Sequence, residues 1–372
     1  MNILCLDQFS ELGGGQRSLL DLAPAFAKNG WALSFLLPGN GSFAELLEER
    51  GFQTEFLDIG SFSNGHKPAR EILCYLQSFP LTTRTIARTI ERQQIDFLYV
   101  NGSRLLPAAA FVARRRGIPL LFHCHNRLTQ AAAIAAVRGA LLLSRAHVIA
   151  CCRYVAEPFR SFLSATKFTV VYNGVRKFAN PVERRFPLRR IGVFGRIEPE
   201  KGQLDFVRAV RLLARDFPAC TFTITGAPLF SSRAYYNEVR RAAAGLPIEF
   251  RGWQSDAGAT LASFDLLAVP STQVEATTRV IPEAYSLGVP VVAFPSGGIP
   301  EIVQDERTGF LAAARTPEAL AARIASVLHL SEARVRSIAQ NAHTAWQTEY
   351  NLDCYQDHVC RIVSSLGRTD NA

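Results

Sequence analysis

Leu266-Leu267-Ala268-Val269-Pro270-Ser271-Thr272-Gln273-Val274-Glu275-Ala276-Thr277-Thr278-Arg279-Val280-Ile281-Pro282-Glu283-Ala284 is the stretch that decides how this chain folds. Its opening apolar run has the pattern of a strand buried on both faces. A helical stretch then reaches Leu287 and is stopped by Gly288. Strand end, loop and helix start is where an open parallel α/β sheet binds its ligand. On one continuous helix Glu275 and Glu283 would lie about 12 Å apart along the axis and roughly 80° apart around it. A loop between them lets both carboxylates face one elongated, hydroxyl-rich ligand, while the backbone amides of Thr278, Arg279 and Val280 at the helix N-terminus are placed to hold a phosphate.

The same alternation of apolar strand-like runs and amphipathic helical ones extends outward over the whole chain, which predicts a doubly wound parallel α/β architecture. Strands are expected near residues 2–6, 33–37, 53–57, 97–101, 120–123, 148–150 and 169–172, then near 191–195, 221–225, 248–251, 266–269 and 289–294. Between the two sets, residues 177–190 are polar and basic and carry Pro181 and Pro187, the composition of a linker. The expected organisation is therefore one domain over 1–176, the linker over 177–190, and a second domain over 191–350. The C-terminal stretch from 331 to about 366 is expected to be helical.

At 372 residues and 48% hydrophobic content the chain can bury two ordinary cores. No run of eighteen residues is apolar and uncharged enough to span a bilayer, since residues 131–152 are interrupted by Arg138 and Arg145. Met1-Asn2-Ile3-Leu4-Cys5-Leu6-Asp7 lacks the basic flank and cleavage site of a signal peptide and reads as a first strand, so a cytoplasmic location is expected. The eight cysteines form no C-x-x-C pair and read as buried thiols of a reducing compartment. The net charge of +9 is uneven: residues 1–185 carry 22 Lys and Arg against 13 Asp and Glu, and the rest carry 19 of each. Arg84, Arg88 and Arg92 at helical spacing, with Arg114-Arg115-Arg116, make a candidate basic face for an anionic membrane surface, or else ordinary solvated helix faces. Nucleic acid is not an expected partner, because no recognition motif is present and few aromatics interleave with the basic clusters.

Three further segments place chemistry at predicted strand ends. Ile191-Gly192-Val193-Phe194-Gly195-Arg196-Ile197-Glu198-Pro199-Glu200-Lys201-Gly202 brings an arginine to a strand end and a lysine to the start of a helix over 203–217, where both cations can reach a diphosphate. A lysine at a helix N-terminus opposes the dipole unless an anion sits there. Gly13-Gly14-Gly15-Gln16-Arg17-Ser18 follows the first strand and lets backbone amides approach a ligand closely. His123-Cys124-His125-Asn126 ends another strand, with both histidines pointing to one face. No third and fourth ligand at suitable spacing completes a zinc site.

The block over residues 270–311, with Gly297-Gly298-Ile299-Pro300-Glu301-Ile302-Val303 and Thr308-Gly309-Phe310-Leu311 after the two glutamates, resembles the E-x7-E signature of retaining family 4 glycosyltransferases (glycosyl transferases group 1). Residues 195–202 are similar to that family's G-R…K-G element. The resemblance implies a GT-B fold, two Rossmann-like domains with an interdomain cleft, and a last helix over 351–372 that crosses back to the first domain. It implies a nucleotide-diphosphate sugar (UDP- or GDP-linked) as co-substrate, with neither cofactor nor metal. The basic, apolar-rich N-terminal half fits a glycan or lipid-linked sugar acceptor at a membrane surface, as in cell-envelope polysaccharide or lipopolysaccharide synthesis. The expected catalytic residues are His125, with His123 in reserve, Arg196, Lys201 and Glu275. The expected donor-binding residues are Gly14, Gly15, Thr278, Arg279, Val280 and Glu283. The sequence departs from many members of the family at Ala276-Thr277-Thr278-Arg279, where they have small glycine-containing residues. A nucleotide-sugar isomerase of the same fold and a silent nucleotide-sugar binder are the alternatives.

Overall fold

The computed structural model describes residues 1–59, 69–160, 167–178, 184–228, 233–272 and 275–367, with the backbone alone for 69–72. The chain forms two compact units, Met1–Val171 with Gln356–Ala372, and Tyr172–Tyr355. Residues 179–183 of the expected linker and 368–372 of the expected final helix lie outside the described residues.

The first unit is built on a seven-stranded parallel sheet of β1 (Asn2–Asp7), β2 (Ala32–Leu37), β3 (Gln53–Phe56), β4 (Phe97–Asn101), β5 (Leu120–Cys124), β6 (His147–Ala150) and β7 (Phe168–Val170), ordered β3-β2-β1-β4-β5-β6-β7. Every residue of β4 and β5 is buried, and so is β1 after Asn2, which is why these strands read as unbroken apolar runs. The order reverses between β1 and β4, whose last residues, Asp7 and Asn101, are register partners. That reversal is the switch point where a doubly wound sheet opens a crevice at its carboxyl edge.

The second unit repeats the plan with six parallel strands: β8 (Arg190–Phe194), β9 (Thr221–Thr225), β10 (Ile248–Gly252), β11 (Leu266–Val269), β12 (Val291–Ala293) and β13 (Phe310–Leu311), ordered β10-β9-β8-β11-β12-β13. Its switch point lies between β8 and β11, the two strands that lead into the Arg196–Lys201 segment and the Glu275 loop. The Arg184 side chain is buried in this unit and donates to the carbonyls of Ala262 (2.9 Å), Phe264 (2.6 Å) and Leu287 (3.2 Å).

Some expected elements differ in extent. The helix expected over 203–217 is Gln203–Leu213; the chain then closes in a turn, with the Asp216 amide (3.1 Å) and the Phe217 amide (2.9 Å) both on the Leu213 carbonyl, and Pro218 disfavours helical geometry at Phe217. The C-terminal stretch is broken rather than continuous. Helix Glu332–Ala345 runs into a π turn, Trp346–Tyr350, and Asn351 turns extended before helix Leu352–Gly367, where its side chain accepts from the Cys354 amide (2.8 Å). From Gln356 onward this last helix belongs to the first unit: Gln356 donates to the Asp21 carbonyl (2.5 Å), and Val359 and Val363 are fully buried. β13 was not expected, since two residues are too few to show a period.

Candidate functional site

In the second unit, the turn after β8 is pressed onto the end of β11. Pro199–Lys201 is a single 3-10 turn and Gly202 has φ +68°, and a Cβ there would stand 1.8 Å from the Pro270 carbonyl oxygen. Only glycine fits. The Thr272 amide donates to the Glu200 carbonyl and its hydroxyl to that of Pro199, both at 3.0 Å. Gln203, buried, donates to the Arg196 carbonyl (2.7 Å), fixing the backbone from which that arginine projects. On the other side, Gly297 at φ +55° packs against the Glu275 backbone and the Gly298 amide donates to the Glu275 carbonyl (2.9 Å).

These backbones bring opposite charges together. Lys201 Nζ donates to Glu275 Oε1, with both side chains mostly buried. Arg196 pairs with Glu198 (2.9 Å), and Arg279 approaches Glu283 at 3.8 Å. Burial raises the Glu198 carboxyl above its ordinary range, opposed by Arg196 and Lys201 and assisted by Glu200 and Glu275. Three cations and three carboxylates are thus matched beside a switch point. The anion that a lysine needs at this position is an internal one, Glu275. Glu283 lies in the first turn of helix Val280–Ser286, Thr278 is buried ahead of it, and the buried Thr277 hydroxyl has no partner among the described residues.

The first unit carries a polar chain along the ends of β1, β4 and β5. Asp7 is fully buried and accepts from Gln16 Nε2 (2.9 and 3.0 Å), Asn101 Nδ2 (2.6 Å) and the Phe9 amide (2.9 Å). Burial pushes its carboxyl from the ordinary 3.8 up to about 6, while Asn101, Phe9, Gln16 and Gln8 hold it down by hydrogen bonding. Asn101 Oδ1 meets His125 Nε2 at 2.8 Å. The Gln16 side chain also accepts from the Gly13 amide (3.1 Å), tying the glycine turn and helix Gly14–Leu20 to the same carboxylate. A Cβ on Gly15 would lie 3.1 Å from His125 Cδ2, so the turn and the ring are packed edge to edge.

His123 and His125 stack with ring centroids 4.0 Å apart, on one face as strand alternation requires. They differ in access. His123 is fully buried, bonded to Tyr99 Oη (2.5 Å), and kept well below the ordinary histidine range by burial first and His125 second. His125 is half-buried.

Of the sequence-predicted residues, Gly14, Gly15 and His125 are gathered in the first unit, and Arg196, Lys201, Glu275, Thr278, Arg279, Val280 and Glu283 in the second. Sequence reasoning gave no role to Asp7, Gln16, Asn101 or Glu198. The signal available for Asp7 and Asn101 was a polar residue ending an otherwise apolar buried strand. Among the described residues no group of three or more His, Cys, Asp or Glu side chains is arranged to hold a metal ion.

A family model described as Glycosyltransferase Family 4 matches residues 12–177, and one described as Glycosyl transferases group 1 matches residues 189–329. The chain belongs to this glycosyltransferase family. Its two Rossmann-like α/β domains are those of the GT-B fold, and solved structures of that fold match nearly its whole length. HepE from Anabaena in complex with UDP is 25% identical with a TM-score of 0.83, covering 98% of this chain and 100% of that one. A glycosyltransferase from Rickettsia africae, 18% identical, covers 99% of each chain with a TM-score of 0.81. The D-inositol 3-phosphate glycosyltransferase of Segniliparus rotundus is 32% identical over 155 residues, 40% of this chain and 34% of that protein. This family 4 chain therefore spans about a third of the length of the curated relative it matches there.

Proposed function

We propose that this chain is a retaining glycosyltransferase that moves a sugar from a nucleotide-diphosphate donor to a hydroxyl of a glycan or lipid-linked acceptor. The observation that carries the reading is the pair of cations, Arg196 and Lys201, set by tight backbone packing beside the β8–β11 switch point. In this reading the donor's diphosphate replaces the carboxylates as their counter-ion, and the positive charge stabilises the departing diphosphate. Arginine and lysine supply that charge without a metal. Glu283 takes the ribose hydroxyls, Glu275 on leaving Lys201 accepts from the sugar hydroxyls, and the amides of Thr278, Arg279 and Val280 bond phosphate oxygens. In the first unit, His125 and the Gly14-Gly15 turn are the ligand-facing groups. The acceptor hydroxyl attacks from the face the leaving group departs, its proton passing to a donor phosphate oxygen, so no protein nucleophile is used and placement supplies much of the rate.

UDP is the first nucleotide to test, because HepE, 26% identical over nearly the full chain, was solved in complex with UDP-glucose. The acceptor belongs to cell-envelope glycan assembly in our reading, and a putatively named colanic acid glycosyltransferase of Salmonella typhimurium, 30% identical over 116 residues, supports it. No helix among the described residues is long and apolar enough to cross a membrane. Lipid-linked acceptors would be met by the first unit at the cytoplasmic face of an anionic membrane. Two of the arginines on that candidate basic face are paired within the unit, Arg92 with Glu55 and Arg116 with Glu91.

Thermal shift with UDP, GDP, ADP and CMP and their common sugars tests the donor half, because ligand binding raises the unfolding midpoint. One diphosphate family is expected to stabilise the wild type and to lose most of that effect in Glu283→Ala. No shift with any of them would overturn the reading.

A further inference from the structure

Of the carboxylates paired with cations beside the β8–β11 switch point, Glu198 is the one with no ligand contact in the donor reading. It stands between Pro199 and Ile197, whose side chain is buried and whose amide donates to the Ala227 carbonyl (3.0 Å). Its backbone is extended (φ −151°, ψ 154°), as a residue before proline prefers, and its carbonyl accepts from the Lys201 amide (3.0 Å). The carboxylate is thus held in place beside both cations. Four charged groups face it: Arg196 at 2.9 Å, Lys201 and Glu200 from the same turn, and Glu275 from the loop after β11. The Arg196 side chain is 37% exposed and that of Glu198 13%, so an anion arriving from solvent has the guanidinium within reach while the carboxylate is largely shielded from water.

A carboxylate so placed stays ionised only while its cations compensate it. Burial favours the neutral form and raises the group above its ordinary 4.5, with Arg196 and then Lys201 opposing. A diphosphate on the same two cations weakens that opposition and adds negative charge of its own. One unit charge about 6 Å away, at an effective dielectric of about 20, shifts a protonation equilibrium about a hundredfold. Whether the guanidinium turns to the phosphates or holds both groups, Glu198 is left facing an anion.

We propose that Glu198 is the resident counter-ion of Arg196 and yields to the donor's diphosphate by taking up a proton, so that nucleotide-sugar binding is coupled to uptake of one proton from solvent, held as the Glu198 carboxylic acid. The proposal rests on the reading of Arg196 and Lys201 as a diphosphate site. Protonation is easier in the bound state than in the free one. Affinity is therefore greatest at low pH, falls by up to about tenfold per pH unit through the interval between the two protonation midpoints, and is level above it.

The test is calorimetric titration of UDP-glucose into the full chain from pH 5.5 to 8, in buffers of different ionisation heat, which counts the protons taken up. UDP-glucose is the probe because its diphosphate is esterified at both ends, whereas UDP ends in a phosphate that itself titrates near pH 6. Wild-type affinity should fall at least about tenfold across the range, with net proton uptake where the slope is steepest. Glu198→Gln keeps the size of the side chain and an acceptor for Arg196. It should bind at pH 8 about as tightly as wild type does at pH 5.5, with no uptake, and Glu198→Ala should be equally level with pH; if one of the two fails to fold, the other decides. Glu275→Gln should keep the uptake. Wild-type binding without uptake would overturn the proposal. So would a Glu198→Gln variant weaker than wild type at every pH, the result expected of a carboxylate that only props Arg196, or uptake lost in Glu275→Gln and kept in Glu198→Gln. Each of these leaves the diphosphate site standing. A wild type that binds neither UDP-glucose nor GDP-glucose sinks the diphosphate reading itself, and the proposal with it.

Discussion

Asp7 illustrates how far a single residue can tie stability to function. Its carboxyl value in the folded chain, about 6, lies above the ordinary 3.8. A group shifted upward contributes stability that is fully present below the unfolded value and lost as pH rises through the folded one. A rise of this size corresponds to about 3 kcal/mol. Urea unfolding of wild type and Asp7→Asn from pH 4 to 7.5 should therefore show the wild-type advantage shrinking by about that amount, and parallel curves would contradict it. The ionised form, present above that value, is the acceptor for Gln16, Asn101 and the Phe9 amide. In the second unit the mostly buried Lys201–Glu275 pair sets a different expectation. Lys201→Ala should cost stability, on the order of 3 kcal/mol, by stranding Glu275, and Lys201→Ala with Glu275→Gln should recover part of it. In turnover, Lys201→Ala should lower kcat about 100-fold or more and Glu283→Ala should mainly raise the donor KM. Equal, small effects from both changes would count against the assignment. The charge residues were legible in the sequence because strand end and helix start flank them. Their pairing with one another was not, since it depends on backbone approach between β8 and β11.

At the scale of elements, turns carry the geometry that strands only frame. Gly202 cannot accept a side chain: its φ is +68° and the Pro270 carbonyl occupies the place of a Cβ. Gly202→Ala should lower stability by about 1–3 kcal/mol and displace the Lys201 turn, reducing nucleotide binding as well. Wild-type-like affinity in a folded variant would show that the turn does not position the lysine. Strands β1, β4, β5 and β11 were readable because burial on both faces leaves an unbroken apolar signature. β13 and the break at Asn351 were not, the first for want of length and the second because a helix continued past an asparagine has the same periodicity as one restarted by it.

For the whole molecule, alternation of strands and helices sufficed to foresee two parallel sheets, and the 3-2-1-4 order of each puts its switch point where the motifs lie. The membership of residues 356 onward in the first unit was implied by family resemblance alone, since composition does not reveal which core a terminal helix joins. Deleting residues 356–372 exposes the sites of Val359 and Val363, which are fully buried, and should destabilise the first unit by several kcal/mol, at about 1.5–3 kcal/mol per side chain. Hydrogen exchange should then rise in β1 and β4 with little change in β11 and β12; uniform change across both sheets would contradict the assignment. The central claim, that Arg196 and Lys201 form a diphosphate site, is tested most directly by calorimetric titration of UDP and UMP into wild type and an Arg196→Ala, Lys201→Ala double variant. The account predicts that UDP binds wild type at least about tenfold more tightly than UMP, and that the difference collapses in the double variant. Equal affinity for UDP and UMP in the wild type, or a preference for UDP that survives in the double variant, would contradict it.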